Sequence, residues 1–142
     1  MRLRFVLLSL LVLSATCLSA PAQYPNGRGP RPPRAGACFY NDPGFTGNYF
    51  CMSMGDRMPA MPPGFNDSIT SVRVFGGARV RLFADGNFQS VSIMLDHDVD
   101  GLYRIRVANN PSRSWDDVTS SVVVLGGRGD RDEWGPRDRP YR

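Results

Sequence analysis

Two short segments concentrate oxygen-bearing side chains just ahead of a valine-rich run. The first is Asn66-Asp67-Ser68-Ile69-Thr70-Ser71 before Val72-Arg73-Val74, and the second is Asp116-Asp117-Val118-Thr119-Ser120-Ser121 before Val122-Val123-Val124. An aromatic residue, Phe65 or Trp115, precedes each. Carboxylate, amide and hydroxyl oxygens are the ligands a hard cation takes, and they are equally the groups that close a turn by bonding to backbone. Either use would suit this pattern. A second cluster, His97 among Asp96, Asp98 and Asp100, is open to two readings, a metal or acid–base site and a solvated polar loop. His97 is the only histidine and both mature cysteines are expected to be paired, so no serine or cysteine nucleophile is matched to a second partner, and the chain is expected not to be an enzyme. Two mature thiols and one imidazole also fall short of the four ligands of a structural zinc site.

The elements that must position these residues read as strands. Ala78, Val80 and Leu82 alternate with Arg79 and Arg81, and Tyr103, Ile105 and Val107 alternate with Arg104 and Arg106, a period of two that predicts strands with one wet face. Turn signals recur along the chain at Asn41-Asp42-Pro43-Gly44, Pro62-Pro63-Gly64, Gly76-Gly77 and Asp85-Gly86-Asn87, and no stretch keeps a helical period. Such spacing predicts an all-β sandwich. The core is also duplicated about Gly76-Gly77. Tyr40, four residues, Phe45, one residue and Gly47 match Phe83, four residues, Phe88, one residue and Ser90, and in each half the oxygen-rich segment follows. Two similar four-stranded units packed as one sandwich are expected.

These paired motifs resemble the βγ-crystallin family, whose Greek-key units carry Tyr/Phe-x-x-x-x-Tyr/Phe-x-Gly in the first hairpin and, in calcium-binding members, Asn/Asp-Asn/Asp-x-x-Ser/Thr-Ser near the last strand. Both motifs occur twice and in order across residues 37–125. One position departs: Ser90 stands where the family has the glycine that Gly47 keeps, and glycine there allows positive φ at little cost. The resemblance implies a sandwich of two Greek keys, about 37–76 and 77–125, and two Ca²⁺ sites shared between them. One would use Asp116, the Val118 carbonyl, Thr70 and a carbonyl near Asp42. The other would use Asn66, the Ser68 carbonyl, Ser120 and a carbonyl near Asp85. Ser71 and Ser121 are expected to bond to hairpin backbone and not to the ion.

The ends read differently. Arg2 and Arg4, the apolar stretch from Phe5 to Leu13 and Ala20-Pro21-Ala22 before Gln23 predict a secretory signal over 1–22, shorter than the roughly 20 apolar residues a spanning helix needs. The chain is therefore expected to be secreted or periplasmic, with no membrane span after cleavage. Residues 23–36, with four Pro and three Gly, and 126–142 are expected to be disordered arms. Removing 1–22 leaves 15 arginines against 13 acids and no lysine; the core 37–125 holds seven arginines and nine acids. The basic pI thus belongs to the ends, and no nucleic-acid partner is expected. Cys38 and Cys51 remain in a chain addressed to an oxidising compartment, where a disulfide is expected. Pairing Tyr40 with Tyr49 and Phe39 with Phe50 sets the two cysteines opposite each other, with Cα atoms about 5.5 Å apart.

The expected function is a calcium-binding structural module, in which the ions tie the Greek keys together. Two alternatives stand beside it: a proteinase inhibitor, because small bacterial metalloproteinase inhibitors share the fold and a similar Cys-Phe-Tyr-Asn-Asp opening, and a cell-envelope or adhesion module without metal. A proteinase is the protein partner the first alternative implies.

Overall fold

The computed structural model describes residues 31–127. The expected signal segment, most of the N-terminal arm and the tail beyond 127 lie outside the described residues. Among these described residues nine strands follow one another: β1 Gly36–Asp42, β2 Thr46–Ser53, β3 Arg57–Met58, β4 Ser71–Phe75, β5 Arg79–Asp85, β6 Gln89–Leu95, β7 Arg106–Val107, β8 Asn110–Ser114 and β9 Ser121–Leu125. One sheet runs β2-β1-β4 and the other β3-β9-β5-β6, all neighbours antiparallel, with β7-β8 as a separate hairpin. Their inner faces meet through Ala37, Phe39 and Val72 on one side and Val80, Leu82, Leu95, Val122 and Val124 on the other. No helix among the described residues is long and apolar enough to cross a membrane.

The two halves exchange strands. β3 belongs to the first half yet pairs with β9 of the second, Met58 opposite Val122. In return Val99 of the second half bridges Val72 of β4, with N–H···O bonds of 2.9 and 2.8 Å in both directions. The halves are therefore not self-contained four-stranded units. Each third strand completes the other half's sheet, so the sandwich folds as one body.

Sequence register and structure agree in the first hairpin. Cys38 faces Cys51, Phe39 faces Phe50 and Tyr40 faces Tyr49, and the two cysteines form a disulfide. Their Cα atoms are 4.0 Å apart, closer than the 5.5 Å expected and nearer the roughly 4.5 Å of the narrow pairs in an antiparallel ladder. Ring stacks reinforce the same register, Phe39 on Phe50 at 4.9 Å and Tyr40 on Tyr49 at 5.1 Å.

Two expectations from alternation fail. Alternation puts Arg81 on a wet face, yet it is 2% exposed. β5 lies between β6 and β9, and on its outer face Arg81 sits opposite Met94 and Val123, both buried, so the long aliphatic stem is covered by neighbours on either side. Likewise Tyr103 to Val107 is not a strand throughout. Leu102–Arg104 forms a 3-10 turn, which brings Leu102 and Ile105 to the interior and leaves Tyr103 41% exposed. A three-residue turn mimics alternation over so short a run.

Candidate metal centre

Both tight hairpins have the same backbone shape, although their sequences differ. Gly44, Phe45 and Gly47 have φ of 67, 63 and 76°, and Asn87, Phe88 and Ser90 have φ of 55, 62 and 68°. Ser90 thus adopts the left-handed conformation that Gly47 adopts without penalty, at a cost of order 1 kcal/mol. In each hairpin the ring at positive φ packs edge-on against the strand aromatic five positions earlier, Phe45 on Tyr40 at 5.9 Å and Phe88 on Phe83 at 5.7 Å. At Gly47 the side chain of Asp42 occupies the space a Cβ would need, which adds a steric reason for the glycine.

A buried serine from the oxygen-rich segment locks each hairpin. Ser71 Oγ donates to the Asp42 carbonyl at 2.6 Å and accepts from Phe45 N–H at 3.0 Å; Ser121 Oγ donates to the Asp85 carbonyl at 2.6 Å and accepts from Phe88 N–H at 3.0 Å. Both serines are fully buried, so removal of either hydroxyl would strand a carbonyl and an amide. The role expected of Ser71 and Ser121 is what the geometry gives them. It also brings Thr70, immediately before Ser71, beside the Asp42 hairpin, where its N–H donates to the Tyr40 carbonyl at 2.9 Å. Ser120 is held in the same way, its N–H donating to the Phe83 carbonyl at 3.0 Å.

The acidic residues of the two segments then cross. Asp67 N–H donates to the Thr119 carbonyl at 3.1 Å and Asp117 N–H to the Ile69 carbonyl at 3.3 Å, with both aspartates at positive φ, 49 and 53°. Oxygens from one half therefore face the hairpin of the other. On one side, Asp67, Asp85 and Ser120 line a cleft of about 440 Å³ together with Ser90, Asn109 and Arg113. Ser120 Oγ donates to Asp67 Oδ1 at 3.0 Å. Asn66 joins this group through Asp67, Nδ2 donating to Oδ2 at 3.0 Å, and Ser68 Oγ turns back to the Asn66 carbonyl. Val118, assigned from the sequence to the other site through its carbonyl, also lines this cleft.

On the other side the bond from Asp117 N–H to the Ile69 carbonyl joins the neighbours of Asp116 and Thr70, and Thr70 is itself bonded to the Tyr40 carbonyl. Asp116 Oδ1 is buried and has no hydrogen-bond partner among the described residues. Asn41 Oδ1, next to Asp42 in the chain, is a second such oxygen. Buried oxygens without a donor are costly unless water or a cation meets them. Among the described residues no three acidic, histidine or cysteine side chains gather to hold a metal. An ion at either place would find one or two carboxylates and fill its shell with hydroxyls, carbonyls and water, a donor set that fits calcium and not zinc or a soft metal.

Sequence reasoning missed three contributors here. Asp67 is the carboxylate that meets Ser120, and the signal for it was present, since it occupies the second Asn/Asp position of the motif. Asn109 and Arg113 carried no signal, because they reach the cleft from the β7-β8 hairpin. The acids around His97 disperse: Asp96 contacts His97 Nδ1 at 2.8 Å, Asp98 accepts from Val74 N–H at 2.7 Å, and Asp100 pairs with Arg104 at 2.6 Å. That cluster is an exposed loop pinned at three separate points.

Charge accumulates where the two segments cross. Burial, then the neighbouring Asp116 and Asp67 carboxylates, hold the Asp117 carboxyl above the usual range. The native state thus binds this proton more tightly than the unfolded chain, so the group favours folding in acid and loses that contribution as pH rises through its folded pKa. Asp117→Asn is expected to raise the Tm of the metal-free protein at pH 7 and to leave it unchanged near pH 3. Thermal unfolding at the two pH values in a chelator checks this, and an equal shift at both would mean that packing, not charge, is responsible.

A family model described as peptidase inhibitor family I36 matches residues 27–95. No curated protein matches the chain. Among solved structures, a βγ-crystallin domain from Flavobacterium johnsoniae is 28% identical, with 66% of this chain and 97% of that one covered and a TM-score of 0.53. The βγ-crystallin domain of the Abundant Perithecial Protein of Neurospora crassa, solved in its Ca²⁺-bound form, is 18% identical, with 68% and 94% covered and a TM-score of 0.51. A βγ-crystallin from an archaeon is 21% identical, with 66% and 100% covered and a TM-score of 0.51. The fold is that of the βγ-crystallin domains.

Proposed function

We propose that this βγ-crystallin-type chain is a secreted, non-catalytic calcium-binding module in which two ions, each held between the two halves, stabilise the domain. The observation that carries the reading is the buried, unpartnered Oδ1 of Asp116, in a segment whose next residue, Asp117, bonds to the Ile69 carbonyl beside Thr70. A cation there satisfies the stranded oxygen and relieves the repulsion among Asp116, Asp117 and Asp67. The likeness to a domain solved with Ca²⁺ supports the choice of metal. One site is assigned to Asp116, the Val118 carbonyl, Thr70 and a carbonyl near Asp42. The other is assigned to the Asn66-Asp67-Ser68 segment, Ser120 and a carbonyl near Asp85. Export follows from the N-terminal apolar segment and is consistent with the disulfide.

The test is isothermal titration of the metal-stripped protein. Two binding steps are expected in the range of about 10⁻⁵ to 10⁻³ M, with Asp116→Ala removing the tighter step and Asp67→Asn the weaker. Absence of heat and of thermal stabilisation at millimolar calcium would sink the reading. A second reading, proteinase inhibition, is favoured by the inhibitor-family match over 27–95, which spans the disulfide and the first hairpin. Under that reading the metal-free protein slows a metalloproteinase in a panel assay, and Asp116→Ala leaves the inhibition intact.

A further inference from the structure

The two repeats differ most in what lies between hairpin and oxygen-rich segment. From Gly47 to Asn66 is 19 positions, and from Ser90 to Asp116 is 26. The longer connection contains β7 and β8, a hairpin closed with Val107 opposite Asn110 and Arg106 opposite Ser114. Its side chains are not remote from the chemistry. Asn109, Asn110 and Arg113 line the cleft that also holds Asp67, Asp85 and Ser120. Asn110 Oδ1 accepts from Ser112 N–H at 3.3 Å, a bond within β8, the strand that carries Arg113. The corresponding stretch of the first repeat, Pro59-Ala60-Met61-Pro62-Pro63-Gly64, has no charged residue. Of these two connections, only the second therefore brings a positive charge, Arg113, to its site.

We infer that Arg113 is a tethered counter-cation for the Asp67–Asp85–Ser120 cleft, which stabilises the metal-free state of that cleft and weakens calcium binding there. The inference rests on the proposed calcium function for its second half only. In the metal-free protein the Arg113 guanidinium offsets the Asp67 and Asp85 carboxylates. When a doubly charged ion enters, the same guanidinium opposes it. Because Arg113 is exposed, the effect is screened and depends on salt. The cleft thus has a carboxylate that the sequence motif alone did not assign to it, together with a cation that offsets it.

The experiment uses the full mature chain, with Arg113→Gln, Arg113→Lys and, as a control on the same hairpin, Arg106→Gln. In a chelator and at low salt, Arg113→Gln lowers the Tm, whereas Arg113→Gln on an Asp67→Asn background does not. In calcium titrations Arg113→Gln tightens the weaker step by roughly three- to tenfold, an effect expected of one surface charge on a divalent ion and lost at high salt. Arg113→Lys behaves as the parent and Arg106→Gln changes neither reading. Equal destabilisation by Arg113→Gln with and without Asp67 would overturn the inference, as would an unchanged or weakened weaker step. If the parent binds no calcium, the functional proposal fails on that ground, and the metal-free arm still decides whether Arg113 acts on Asp67.

Discussion

Trp115→Ala is expected to destabilise the domain by about 3–5 kcal/mol, the cost of emptying a fully packed aromatic site that cannot collapse. Trp115 is 1% exposed, the largest of the fully buried side chains among the described residues, and its backbone N–H, which alanine keeps, donates to the Ile105 carbonyl at 2.9 Å. It is also the residue next to Asp116, so its buried ring anchors the segment that carries the unpartnered oxygen. Phe65 occupies the matching place in the first repeat but is only partly buried, packed edge-on to Phe50 at 4.9 Å. Phe65→Ala should therefore cost less, about 1–2 kcal/mol for the smaller area withdrawn from water. For a domain of this size the tryptophan variant would lose roughly 12 °C or more in Tm. Urea unfolding of both variants without metal measures the difference. Equal losses would mean that the repeats carry equal shares of the core, against the burial described.

Breaking the Cys38–Cys51 disulfide ranks next. The bridge closes a loop of sequence separation 13, for which restriction of the unfolded chain gives a stabilisation of about 3 kcal/mol. Cys38 is fully buried on β1, the strand that pairs with both β2 and β4, so the bridge ties the edge of this sheet to its centre. The doubly substituted Cys38→Ala, Cys51→Ala protein should unfold at correspondingly lower urea, and reductant should destabilise the parent without affecting that variant. A loss well under 1 kcal/mol would show that the aromatic pairs Phe39–Phe50 and Tyr40–Tyr49 hold the hairpin unaided. Two free thiols in the exported protein, seen by intact mass, would remove the premise.

Much of this molecule is legible in its sequence. The duplicated hairpin motif located two turns of the same backbone shape, and the pairing of Tyr40 with Tyr49 carried Cys38 to Cys51. Ser71 and Ser121 were assigned to the hairpins, and both are bonded there. These features are local, or follow from register within one hairpin, where a two-residue period leaves few alternatives. Alternation was less dependable at Arg81 and Tyr103. It reports polarity along a strand but not whether neighbours cover the outer face, nor whether three residues form a turn.

What the sequence determined by itself is the set of parts: an all-β chain, two repeats, one register for the disulfide and two oxygen-rich segments. Which parts meet was decided by the tertiary structure. The exchange of β3 and Val99 between sheets, the contact of Asp67 with Ser120 across 53 positions, and the reach of Arg113 into the same cleft all join residues that no local pattern relates. The physical reason is that packing two sheets about one core sets the relative placement of the halves, and only then do the positive φ at Asp67 and the extra hairpin acquire neighbours. Composition names the oxygens available to an ion; the crossing of the two segments selects which of them share a site.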